Sequence, residues 1–588
     1  MASGQRIFHF VMIKPSHYHD DGYVIQWLRS AIPSNSLACL YGLATDAKDR
    51  SALGEDVDIR LTAIDECNTR IRPDRIARMI RRDGGSGLVG LVGVQSNQFP
   101  RAMDIARQLR ALGIQVCIGG FHVSGCLAML PEVPPEIQEA TDLGISIFAG
   151  EAEGGLLDVV LRDAWRGELK PLYNQMSELP ELEGAPAPFL PPTRVKRTAG
   201  RHTSFDAGRG CPFQCSFCTI INVQGRKSRH RNADDVERII RGNVAKGVNR
   251  FFISDDNFAR NREWEPIFDR LIELREDRGF DIKFTIQVDT LCHRMANFIE
   301  KAGRAGVARV FIGLENINPD NLISAKKRQN KITEYRKMLQ MWKDVGAITY
   351  AGYIIGFPAD TPESVARDID IIKRELPVDL LEFFYLTPLP GSEDHKKLYE
   401  KDVWMDGDLN KYDLNHVTTT HANMSAAEWE GAYWKAWADY YTDAHMETVM
   451  RRAAARGVSV GKMMFLLLWF YTCIHHERIH PLEGGYLRMK YRRDRRPDMA
   501  RESIAAFYAG FVLETIVKHV KAAWLIWHIG RVRKRIKADP GRRSYQDLAL
   551  TPVNDAELDT LDMFRATAPA RAAVERTRKH SAIRASVG

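Results

Sequence analysis

Long apolar runs are missing from this 588-residue chain. The longest, residues 463–474 (MMFLLLWFYTCI), is about half of the ~20 residues that a membrane-spanning helix needs. The start, MASGQRIFHF, has no basic segment leading into an apolar one, so no secretory signal is expected. Cysteine is sparse. Of nine cysteines, three share one short segment and six are scattered without a disulfide-like framework, which points to a reducing, cytoplasmic compartment. Neither sign of charge dominates: 83 Lys and Arg against 75 Asp and Glu give +8, too little at this length to argue for a nucleic-acid partner. The 45% hydrophobic and 27% charged content is that of an ordinary globular protein, and the length predicts three or four domains of ~150 residues.

The three clustered cysteines are Cys211, Cys215 and Cys218, in the stretch RGCPFQCSFC. Three soft thiolates at this C-x3-C-x2-C spacing can hold three irons of a 4Fe–4S cluster. No fourth cysteine is near in sequence, which leaves one iron open, as a reactive site requires. A three-cysteine zinc site with a distant fourth ligand, or a chance cluster, are the alternatives.

Residues 1–165 alternate apolar, strand-like runs (7–13, 57–64, 88–94, 114–118, 145–149) with helical segments (72–82, 101–112). This is a doubly wound, Rossmann-like α/β pattern, in which ligands bind at the carboxyl ends of the strands. The turns at those ends are polar or glycine-rich: Gln95-Ser96-Asn97, Gly119-Gly120-Phe121-His122 and Gly150-Glu151-Ala152-Glu153. Residues 166–200 hold six prolines and read as a stiff linker. Residues 201–392 repeat strand and helix six times, with strands at 203–207, 250–254, 283–288, 309–313, 348–355 and 381–386. That series predicts an open, partial (β/α)6 barrel with function at the carboxyl ends. Residues 393–588 show no strand pattern and read as helical.

The cysteine loop, with Phe217 before its last cysteine, resembles the cluster loop of the radical S-adenosylmethionine (SAM) enzymes. In that family the open iron is chelated by SAM, and an electron from the cluster splits the sulfonium to give a 5′-deoxyadenosyl radical. The resemblance extends to the strand ends. Ser254-Asp255-Asp256 stands where the family carries a GGE motif that meets the SAM amino group, but without its glycines. Glu315, in GLEN, matches an acidic position near SAM. Gly356, in YIIGFPADT, matches a glycine against which the adenine lies, and LTPLPGS resembles the sixth-strand ending. Arg209 and Arg226 are candidates to steady the cluster or the SAM carboxylate.

Residues 1–165 resemble the cobalamin-binding domain of one large radical SAM branch, whose turns match GGFH and GEAE here. That resemblance implies Ser96, Gly119, Gly120, His122 and Glu151 as corrinoid contacts. The D-x-H-x-x-G motif that ligates cobalt in other B12 proteins is absent. The implied binding is therefore without a protein histidine, or the domain is a relic that holds no corrinoid.

The expectation is a B12-dependent radical SAM enzyme, acting as a C-methyltransferase on an unactivated carbon of a hydrophobic small molecule or lipid. Its cofactors would be the 4Fe–4S cluster, SAM and cobalamin, with an electron donor such as flavodoxin or ferredoxin. A radical SAM cyclase or rearrangement enzyme, and a non-catalytic cobalamin or redox sensor, are the alternatives. In the C-terminal region an aromatic-rich segment (Trp429, Tyr433, Trp434, Trp437) is a candidate to close over the substrate. Apolar residues 504–529, between basic clusters at 488–496 and 531–537, suggest peripheral contact with the inner face of the membrane. The last forty or so residues read as a loose tail.

Overall fold

The structure is a computed structural model that describes residues 6–554 and 556–587, with side chains described through residue 579. Its first seven strands are β1 (Arg6–Lys14), β2 (Gln26–Ser30), β3 (Val57–Asp65), β4 (Gly87–Leu91), β5 (Gln115–Gly119), β6 (Ser146–Ala149) and β7 (Leu172–Asn174). All but β2 form one parallel sheet in the order β3-β1-β4-β5-β6-β7. The strands are apolar because both faces are covered. Alternate residues of β1 enter opposite cores: Phe8, Phe10 and Met12 pack with Leu37 and Ala44, while Val11 and Ile13 pack with Phe99 and Ala102. β7 lies within the expected linker. It is three residues long with only Tyr173 buried, too short for a period to show in the sequence.

The next strands are β8 (Thr203–Phe205), β9 (Gly208–Arg209), β10 (Arg229–His230), β11 (Arg250–Ile253), β12 (Lys283–Val288), β13 (Val307–Glu315), β14 (Ile348–Ile355) and β15 (Leu380–Tyr385). Six of them form a second parallel sheet, β8-β11-β12-β13-β14-β15, in chain order. β9 and β10 pair antiparallel and bracket the cysteine loop. Residues such as Val310, Ile312, Ala351, Leu381 and Phe383 face outward into the helix layer, and the residues between them face the open lumen.

The C-terminal region departs from the sequence reading in three ways. It is not wholly helical: β16 (Gly485–Met489) pairs antiparallel with β2, so the chain returns to its own beginning. Gly485 lies flat on the Trp27 ring, where a Cβ would come within 2.0 Å of the indole. The aromatic segment does not close over the lumen. Trp437 sits against the outward face of Phe383, at 5.1 Å, and Tyr433 stacks on Tyr385 at 4.2 Å. The described part of the tail is docked: Leu561, Met563 and Phe564 are buried, and Glu375 accepts from the Asp562 and Met563 backbone N–H groups at 2.9 Å.

The 35-residue helix Ile504–Ala538 buries a seam of Leu525, Ile529, Val532 and Ile536 at helical spacing. Its first twenty or so residues leave Ile504, Leu513, Val520 and Trp524 exposed. Among the described residues, no helix is long and apolar enough to cross a membrane.

Candidate functional site

The cysteine loop joins β9 to the short helix Ile220–Val223 and is pinned along its length. The Cys211 N–H donates to the Gly225 carbonyl at 3.3 Å, and the Ser216 N–H to the Ala325 carbonyl at 3.1 Å. Ser216 Oγ donates to Asp394 at 3.1 Å. Gly210 is required, because its φ is +86° and a Cβ would lie 2.6 Å from the Lys227 carbonyl oxygen.

Cys215 is buried, and Cys211 and Cys218 are partly so. Gln329 Nε2 donates to Cys215 Sγ at 3.4 Å. Burial pushes the Cys211 thiol up and the Cys218 thiol up to about 12. Thiols held protonated in this way give up their protons to a bound metal group. Three soft donors on one braced loop, with an outer hydrogen bond to one of them, fit an iron–sulfur cluster. Outside the loop, Cys39 is committed elsewhere: it donates to Asp206 at 3.0 Å.

Just before the loop, Arg209 Nη1 donates to Glu151 at 2.7 Å, Nη2 to Glu153 at 2.6 Å, and Nε to Asp206 at 2.9 Å. Arg229 Nη1 also donates to Glu151, at 2.8 Å. All five side chains are nearly or fully buried. Burial would lower the Arg209 pKa, but Asp206 and Glu153 outweigh it and hold the guanidinium charged. The network locks the carboxyl end of β6 onto the cysteine loop.

Two cavities meet there. One, of about 290 Å³, lies at the carboxyl ends of β4, β5 and β6, lined by Gly90, Gly119, Gly120, Gly150 and Glu151, with Arg209 and Asp256 across from them. The other, of about 690 Å³, lies over the lumen of the second sheet and is lined by Phe217, Thr219, Glu315, Ile354 and Leu386, with Ser96 and Asn97 opposite. They share Asn35, Ser36, Gly93, Phe121 and Ile220. Their linings contain a single histidine, His17, which lies on the segment after β1 and not at the ends of β4–β6. A flat, bulky group that brings its own metal and needs no protein histidine fits this doubled space.

The expected contacts divide. Gly119, Gly120 and Glu151 line the smaller cavity, and Ser96 the larger. Gly120, at φ +153°, is needed for close backbone contact, since a Cβ would sit 2.2 Å from Val94 N. His122 lines neither. It is buried with Cys126 and Glu136, with Nδ1 3.1 Å from Ser96 Oγ and its ring 4.5 Å from Phe99. The reason is helical: His122 is the second residue of the helix Phe121–Met129 and turns away from the turn that Gly119 and Gly120 form.

Around the larger cavity, Asp255 is already engaged. Its carboxylate accepts from the Ala207 N–H at 2.7 Å and from Asn261 at 3.0 Å, so it braces the start of the loop and does not face a ligand. Asp256 accepts from the Gly210 N–H at 3.3 Å and reaches the smaller cavity, and burial raises its carboxyl to about 7. Glu315 is held at φ +62°, an uncommon conformation for a non-glycine residue, costing ~1–3 kcal/mol. It pairs with Lys327, whose ammonium lies 5.7 Å from the Phe217 ring. Gly356 does not offer an open backbone. A Cβ there would come within 1.9 Å of the Trp429 indole, so the glycine serves the packing of Trp429.

Lys327 and Gln329 belong to this site and were missed, because KKRQNK reads as a solvated run. Glu483 was missed too. It lies beneath the β2–β16 pairing, accepts from Asn97 at 3.1 Å and is pushed up to about 8 by burial, with Asp413 adding to the effect.

A half-barrel with a three-cysteine loop at the carboxyl end of its first strand defines the class. Residues 207–372 match the family model of the radical SAM superfamily, and the chain carries a radical SAM domain. The chain is 29% identical over 324 residues to bacteriochlorophyllide d C-12(1)-methyltransferase of Chlorobaculum tepidum, covering 54% of this chain and 66% of that protein. It is 24% identical over 299 residues to the hopanoid C-2 methylase of Rhodopseudomonas palustris, covering 49% and 53%. The matched span thus falls short of two thirds of either relative. The fold is similar to that of TsrM from Kitasatospora setae, a radical S-adenosylmethionine methyltransferase whose structure has cobalamin and a 4Fe–4S cluster bound. The TM-score is 0.53 at 14% identity, covering 74% of this chain and 88% of that one.

Proposed function

We propose that this protein is a cobalamin-dependent radical SAM methyltransferase that alkylates a carbon of a hydrophobic small molecule or lipid. The observation that carries this reading is the junction of the two cavities. The glycine-rich strand ends of the first sheet and the cysteine loop of the second flank two adjoining cavities that share five wall residues.

Cys211, Cys215 and Cys218 would hold the cluster, Asp256 and Glu315 the amino and polar groups of SAM, and Gly119, Gly120 and Glu151 the corrinoid. Bound together, these groups supply an electron, a hydrogen-abstracting radical and a methyl donor. The chain's own residues do the rest. Gln329 steadies the Cys215 sulfur. Lys327 balances the Glu315 charge beside the thiols. The apolar wall of Phe217, Phe252, Phe311, Ile354 and Phe384 excludes water from the space where a radical would form. Glu483, pushed up to about 8, holds a proton in the roof next to the substrate space, beside His17, which burial keeps neutral.

The test is an anaerobic assay of the reconstituted protein with SAM labelled in its methyl group. Label in the product supports the reading. Deoxyadenosine formed without label transfer would replace it with hydrogen abstraction and rearrangement.

The lipid part of the proposal is supported by the exposed apolar length of the helix Ile504–Ala538, with Trp524 and Trp527 near Arg531, Lys534 and Arg535. Co-sedimentation with phosphatidylglycerol vesicles, but not with phosphatidylcholine vesicles, is expected. Equal recovery with both, or none with either, would remove the anionic-membrane contact.

A further inference from the structure

The lumen of the second sheet is not one space. Its inward-facing residues fall in levels set by strand register: Phe311 beside Tyr350, Gly352 beside Glu382, and Ile354 beside Phe384. A Cβ on Gly352 would lie 3.1 Å from the Phe311 ring and 3.2 Å from the Phe384 ring, so both rings close in on that glycine. With Phe252 they form a partition. Above it is the chamber beside the cysteine loop. Below it, toward the amino ends of the strands, is a separate cavity of about 260 Å³, and Phe252 and Phe311 line both.

The lower cavity is walled by Tyr350 and Thr285 and capped by Phe465, Leu466, Trp469 and Phe470 of the helix Val460–Thr472. Phe465 is 60% exposed, so the cap reaches solvent. One carboxyl group faces this apolar space. Glu382 is 1% exposed, and its Oε2 has no hydrogen-bond partner. A buried polar atom left unpaired is costly unless a ligand completes it. Burial raises the Glu382 carboxyl to about 8, so near neutral pH it is mostly an uncharged O–H donor. The other titratable groups on this cavity are His202, held neutral by burial, Tyr350, and Arg309 at the exposed rim.

We propose that the lower cavity is a second substrate subsite. It takes the apolar far end of the molecule whose reacting carbon sits in the upper chamber. Glu382 donates a hydrogen bond to an acceptor on that end, a hydroxyl or carbonyl oxygen. This inference rests on the hydrophobic-substrate reading above. The size agrees: whole drug-sized ligands occupy ~300–1,000 Å³, so the lower cavity suits part of a molecule and the upper chamber the remainder. The substrate class is then an elongated, largely apolar molecule with one oxygen remote from the site of chemistry. Thermal motion of the Phe311 and Phe384 rings would admit it past the partition.

The test uses the full-length reconstituted protein, with 1-octanol displacing the fluorescent apolar probe N-phenyl-1-naphthylamine. Saturable displacement is expected in the wild type. Glu382→Gln, whose amide still donates, should stay within about threefold. Glu382→Leu, which removes the donor but keeps the fold, should weaken 1-octanol about tenfold. Leu466→Trp, which fills the cavity, should abolish the displaceable signal. Octanol affinity unchanged in Glu382→Leu would overturn the role of Glu382. Displacement unchanged in Leu466→Trp would place the probe elsewhere, such as the exposed helix Ile504–Ala538, and overturn the subsite. The labelled-SAM assay fails independently: octanol binding that obeys this pattern without label transfer would retain the subsite and remove methyl transfer.

Discussion

Arg209, two residues before Cys211, donates to Glu151 at 2.7 Å across the boundary between the two sheets. The first domain's Glu151 and Glu153 and the second domain's Asp206 all converge on this one guanidinium. The position of the cysteine loop relative to the first sheet therefore depends on a buried charge network.

Removing Arg209 leaves buried carboxylates short of a counter-charge. Arg209→Ala should destabilise the protein by about 3–5 kcal/mol, read as a fall in the thermal midpoint. Arg209→Lys should recover only part of this, since an ammonium cannot reproduce the fork that reaches three carboxylates. A midpoint unchanged in Arg209→Ala would show that Arg229 alone carries the network.

Each of Cys211→Ala, Cys215→Ala and Cys218→Ala should lower iron from about four atoms per chain toward zero after anaerobic reconstitution. Cys39→Ala should leave iron unchanged. Iron retained in any loop variant, or zinc in place of iron in the wild type, would contradict the cluster assignment.

Gly356→Ala combines a left-handed φ of +115° with a clash against Trp429. The expected cost is about 3 kcal/mol, from overpacking and backbone strain together. Chemical denaturation measures it. A neutral result would mean that Trp429 can leave and that the backbone at Gly356 is open to a ligand after all.

Glu382 gives a stability trend with pH. Its folded pKa, raised from 4.5 to about 8 by burial, means that the folded state holds more protons than the unfolded state between those values. Its contribution is therefore fully present below about 4.5 and is lost as pH rises toward 8, by up to roughly 4 kcal/mol. Other buried acids add their own slopes, so the informative quantity is the wild type minus Glu382→Gln. That difference should turn against the wild type as pH rises from 5 to 8. A difference independent of pH would show that Glu382 is ionised throughout.

Gly485→Ala should open the β2–β16 clasp, because a Cβ there meets Trp27 at 2.0 Å. Iron content should be retained while label transfer from SAM falls by about tenfold or more, as the roof carrying Glu483 is displaced. Full activity in this variant would mean that the roof is not needed to close the chamber.

Much of the site was readable because its signals are local. The cysteine spacing, the apolar strands of both sheets and the turns at their ends each occupy a few consecutive residues. Asp255 and His122 were read as ligand contacts from the same local evidence. Their partners Ala207, Asn261, Ser96 and Glu136 are brought to them by folding, and those partners turn them to structural work. Trp429 was read as part of a lid, yet its indole fills the concavity at Gly356, 73 residues earlier in the chain.

The sequence alone determined the two α/β units, their order and the spacing of the three thiols on the loop. Strand periodicity and ligand spacing are properties of short segments, and the hydrophobic pattern needed to cover each sheet is written within it. Only the tertiary structure decided which side chains meet. The Arg209 network joins residues 151, 153, 206 and 229, the clasp joins residues 27 and 485, and the partition over Gly352 depends on the register of three strands. Contacts across such separations arise when the packed cores bring distant segments together, and no local pattern encodes them.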